Sequence, residues 1–120
     1  MFKIIETDHD PGLVLEYTGR EILNNAQAWR VTLAKWETIR EACLRGNLIA
    51  DGGVKTCGLC ALYYYGHTTE CELCPIAEAG FPGCIDTPYE EYRQALKIGD
   101  LAAALRAAER EIRFLNKENR

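Results

Sequence analysis

No apolar stretch in this chain approaches the roughly 20 residues that a membrane-crossing helix requires, so no span is expected. The opening Met1-Phe2-Lys3-Ile4-Ile5-Glu6 lacks a basic flank followed by a long apolar core, and no export signal is expected either. Histidine occurs only at His9 and His67. With no Gly-x-Ser-x-Gly, no glycine-rich loop ahead of a helix and no paired carboxylates set for acid and base work, the sequence points away from an enzyme. Basic charge is also short. Lysine and arginine total 14 against 18 aspartates and glutamates, a formal charge of -4, and none lies between Lys55 and Arg93. That weighs against a general basic field for nucleic acid. Disorder along the whole chain is excluded by 48% hydrophobic and 27% charged residues, an ordinary balance for one globular domain of this length.

Cysteine is plentiful instead. Five of the six cysteines stand in Cys57-Gly58-Leu59-Cys60, Cys71-Glu72-Leu73-Cys74 and Phe81-Pro82-Gly83-Cys84. Each Cys-x-x-Cys turn aims two sulfurs at one point, so two such turns supply the four ligands of a tetrahedral ion. Cys57, Cys60, Cys71 and Cys74 are therefore the expected zinc ligands, with Cys84 as the alternative to Cys71 or Cys74. A Cys3His set of Cys57, Cys60, His67 and Cys71 stays open, as does an iron-sulfur reading suggested by Cys74-Pro75. Four thiolates leave no open coordination position, so the ion would hold structure rather than activate water. Without an export signal, this many thiols suit a reducing compartment, and the cytoplasm is the expected location.

Along the chain, Phe2 to Glu6 and Leu13 to Tyr17 flank a dense turn, Thr7 to Gly12, and predict a β-hairpin over 1–19. His9 reads as a turn residue. Asn24 with Gln27 marks a helix start, Trp29, Leu33, Trp36, Ile39 or Arg40, and Cys43 keep helical spacing, and Gly46-Asn47 marks the stop. This predicts a helix over 24–46 whose tryptophans anchor the core. Leu48-Ile49-Ala50 suggests a brief strand leading to a compact cysteine lobe over 51–86, in which Tyr63, Tyr64 and Tyr65 pack over the metal. Thr87-Pro88-Tyr89-Glu90 is a helix-start signature for 87–98, and Gly99-Asp100 separates it from a last helix over 100–118. The last helix carries Leu101, Leu105, Ala108, Ile112 and Leu115 as a short seam. Such a seam can dock on its own domain, or project and pair with a second copy through 101–115.

The two hooks, Gly83-Cys84, Thr87-Pro88-Tyr89 and the preceding Trp36-Glu37 together resemble small cysteine-rich bacteriophage proteins of unassigned function, over about residues 29 to 92. The resemblance implies a metal-binding lobe in an accessory protein working in a host cytoplasm by binding a host or viral protein. It supplies no catalytic residues. The expectation is an α+β domain with a non-catalytic, zinc-stabilised protein-binding or inhibitory role. The alternative is a zinc-finger-like regulatory protein that binds nucleic acid.

Overall fold

A computed structural model of the chain describes residues 2–8, 11–18, 24–51 and 88–118. These form an α+β arrangement: strands β1 (Phe2–Glu6) and β2 (Leu13–Tyr17), then helices α1 (Asn25–Leu44), α2 (Pro88–Ile98) and α3 (Leu101–Glu118). The lobe expected over 51–86 lies, apart from Asp51, outside the described residues.

The strands pair antiparallel, Phe2 opposite Tyr17 and Glu6 opposite Leu13. Alternation along a strand puts Leu13, Leu15 and Tyr17 on one face, and that face meets the core: Leu15 is buried, and Phe2 and Leu13 pack against the core cluster. Phe2 and Tyr17 also set their rings 5.1 Å apart. Gly12 closes the turn at φ +97°, a conformation that costs glycine little, and its carbonyl accepts from the Thr7 amide at 3.0 Å. A two-stranded sheet is marginal in water and must lean on something. It leans on α1 and on Ala50, which forms an isolated parallel bridge with Val14. The Ala50 amide donates to the Leu13 carbonyl at 2.8 Å, and the Leu15 amide donates to the Ala50 carbonyl at 2.9 Å. The brief strand suggested for Leu48 to Ala50 is thus a single bridging residue.

Helix α1 starts where Asn24 Oδ1 accepts from the Gln27 amide at 2.9 Å, satisfying one of the amides left unpaired in a first turn. It ends where Gly46, at φ +88°, sends its amide to Cys43 O and Asn47 sends its own to Ala42 O, a Schellman closure. The buried stripe runs Ala28, Trp29, Thr32, Lys35, Trp36, Ile39, Ala42, Cys43. Both tryptophans are 3% exposed, so each contributes up to about 5 kcal/mol of apolar burial. Leu33, expected on the stripe, lies at its half-buried margin.

Two residues, Gly99 and Asp100, join helices α2 and α3. Gly99, at φ +72°, and Asp100 return their amides to Leu96 O and Ala95 O, closing α2, while Asp100 Oδ1 accepts from the Ala103 amide at 3.0 Å and opens α3. The chain reverses in that turn, and α3 packs on both α2 and α1. Ala104, Ala107 and Ala108 are almost fully buried, and their small side chains let the helix backbones approach closely. Leu115 is buried beyond them, and Leu101, Leu105, Ile112 and Phe114 are half-buried against the same core.

Candidate functional site at the roots of the cysteine segment

Cys57, Cys60, Cys71, Cys74, Cys84 and His67 all lie outside the described residues, as do Thr87 and the three tyrosines at 63–65. Among the described residues no three His, Cys, Asp or Glu side chains are grouped to hold a metal ion. The sixth cysteine, Cys43, lies within the core on α1 at 4% exposure, in keeping with its place beside the apolar stripe. Desolvation pushes its thiol pKa above the ordinary value, which keeps it protonated and a poor nucleophile.

What is described is the pair of roots from which residues 52–87 leave and return. Asp51 is the last residue before the segment and Pro88 the first after it. Lys35 of α1 reaches the outgoing root. Its Nζ stands 3.3 Å from Asp51 Oδ2, with the two side chains 4% and 9% exposed. The same Nζ lies 5.4 Å from the Trp36 ring centre and 5.7 Å from that of Tyr89, the second residue of the returning root. Positive charge over an aromatic face is attracted by the ring quadrupole, so one ammonium is shared between both roots.

Aromatic packing fixes the rest. Trp36 takes Tyr89 edge-on at 5.8 Å and Tyr92 edge-on at 5.2 Å. An edge-to-face contact places the positive ring edge on a negative face. Tyr92 is fully buried, and its hydroxyl donates to the carbonyl of Ile49, two residues ahead of Asp51. Burial drives the Tyr92 phenol pKa well above its ordinary value, and the neighbouring Cys43 and Asp51 push the same way. The tyrosine stays neutral and acts as a hydrogen-bonded strut from α2 to the outgoing root.

Lys35, Trp36 and Tyr92 thus tie Ile49 and Asp51, ahead of residues 52–87, and Tyr89, after them, into one helical core. The helical pattern places Tyr89 and Tyr92 on the inner stripe of α2, and both touch Trp36. It gives no warning of Lys35 and Asp51. The available signal is positional: Lys35 falls between Thr32 and Ile39 on the buried face, and its charge hides it.

No helix among the described residues is long and apolar enough to cross a membrane. Comparison with family models, with curated protein sequences and with solved structures gives no match.

Proposed function

We propose that this chain is a non-catalytic protein-binding module stapled by zinc, held by Cys57, Cys60, Cys71 and Cys74, with Cys84 as the alternative ligand. The observation that carries this reading is the anchoring of both roots of the cysteine segment on one face of α1, through Lys35 and Trp36. A hairpin and three helices then form a platform that holds the residues on either side of the cysteine segment. The donor set suits zinc: thiolates in two Cys-x-x-Cys turns favour a soft-ligand tetrahedral site. Zinc supplies binding energy of about 10 to 16 kcal/mol at such sites, enough to order the segment around it. The resemblance to bacteriophage accessory proteins supports a partner in the host, bound or inhibited in its cytoplasm.

Elemental analysis of the purified full chain tests the staple, with about one zinc per chain expected and its loss expected in Cys57→Ser/Cys60→Ser. Affinity capture from host lysate, with and without chelator, tests the binding role. A metal-free purified protein, or a brown one with iron-sulfur absorption, would sink the zinc assignment.

A further inference from the structure

The outward face of α3 carries Arg106, Arg110, Arg113 and Lys117, all exposed, at intervals of four, three and four residues. These intervals keep one helix face, and at 1.5 Å per residue the row spans about 16 Å. Glu109 is the one exposed acid on that face among the described residues. The outward face of α1 is different: Arg30, Ala34, Glu37 and Glu41 run from a cation to two anions. The α3 row is thus a local positive stripe on a chain of charge -4. A carboxylate already sits on it, since Glu91 Oε2 of α2 accepts from Arg110 Nη1 at 2.7 Å. Arg106 and Arg113, on either side, make no ion pair to another described residue.

We propose that the α3 row is the docking surface for an acidic protein segment, whose carboxylates meet Arg106 and Arg113 as Glu91 meets Arg110; this rests on the protein-binding reading above. Three of the four cations are arginines, whose planar fork matches a carboxylate with two parallel hydrogen bonds. Nucleic acid fits the row less well. The net negative charge of the chain repels an extended polyanion, and Glu109 would face a phosphate in any continuous line of them. A protein segment can set a neutral or basic residue opposite Glu109. Because the row has no apolar centre, its contribution is to orientation and partner choice, and binding should be salt-sensitive.

The probes are a capped helical peptide with glutamates four, three and four residues apart, a scrambled peptide of equal composition, and a short DNA duplex. With the intact metal-loaded chain, the patterned peptide should bind at least about tenfold more tightly than the scrambled one and weaken as salt rises. Arg106→Glu/Arg113→Glu should lose about tenfold or more in affinity, and Arg106→Gln/Arg113→Gln should fall between, with helix content unchanged. Equal binding of the two peptides, tighter binding of the duplex, or an unaltered charge-reversed variant would overturn the assignment. A host protein captured equally by wild type and Arg106→Glu/Arg113→Glu also overturns it, while leaving the broader protein-binding reading in place.

Discussion

Lys35 and Asp51 face each other across 3.3 Å with almost no exposure to solvent, joining the middle of α1 to the last residue before the cysteine segment. A buried pair of this kind gains little over an apolar substitute of equal shape, yet breaking it strands a charge. Lys35→Met or Asp51→Leu alone should therefore lower stability by about 3 to 5 kcal/mol, whereas the double variant recovers much of that loss. Urea unfolding of the three variants measures this. Additive losses in the double variant would show that the two charges are not coupled.

Tyr92 donates to Ile49 O inside the core, so Tyr92→Phe removes the donor and leaves a buried carbonyl unmatched. The expected loss is about 1 to 3 kcal/mol. The pH dependence has a definite sign. A phenol whose folded pKa is raised binds its proton more firmly in the native state, so its stabilisation is complete below the unfolded value of about 10 and is lost progressively as pH rises above it. Chemical unfolding at successive alkaline pH values should show a steeper decline for wild type than for Tyr92→Phe. Parallel curves would remove Tyr92 as the source.

Chelation should separate the two parts of the chain. Among the described residues the core cluster of the hairpin and helices holds one cysteine, Cys43, at 4% exposure. Treating the metal-depleted protein with an alkylating agent and counting adducts by mass spectrometry should give five fast modifications, with Cys43 protected until denaturant is added. Six thiols reacting together would mean that the core does not persist without the lobe.

The α2 to α3 turn offers a local test. Asp100→Ala should cost about 1 kcal/mol through the lost cap on Ala103. Gly99→Ala should cost a similar amount, because an alanine strains at the positive φ even though the space around it is open. Thermal melts of both variants check this, and an unchanged Gly99→Ala would indicate that the turn relaxes.

Local chemistry makes much of the fold legible in the sequence. Asn24, Gly46, Gly99 and Asp100 act at the helix ends where their side chains or backbone freedom suggest they should, and Pro11-Gly12 sits in the hairpin turn. These effects need only a few neighbouring residues. The α1 stripe is harder. Read by apolar residues alone it passes through Leu33, whereas the buried face passes through Thr32 and Lys35. Thr32 is tolerated there because its hydroxyl bonds Ala28 O at 2.9 Å, and Lys35 because Asp51 answers it from 16 residues away. The second match is tertiary, and no periodicity could reveal it. The cysteine spacing, by contrast, announces ligand chemistry without showing how its ends are held.

The Val14 to Ala50 bridge gives the amino-terminal hairpin a part in presenting the segment beyond Asp51. A fragment beginning at α1 would keep the helices but forfeit the backbone hydrogen bonds that Leu13 and Leu15 make to Ala50, leaving Ala50 and Asp51 steered by side chains alone. Shortening from the amino end should thus be felt far downstream, as slackness at Ala50 and Asp51.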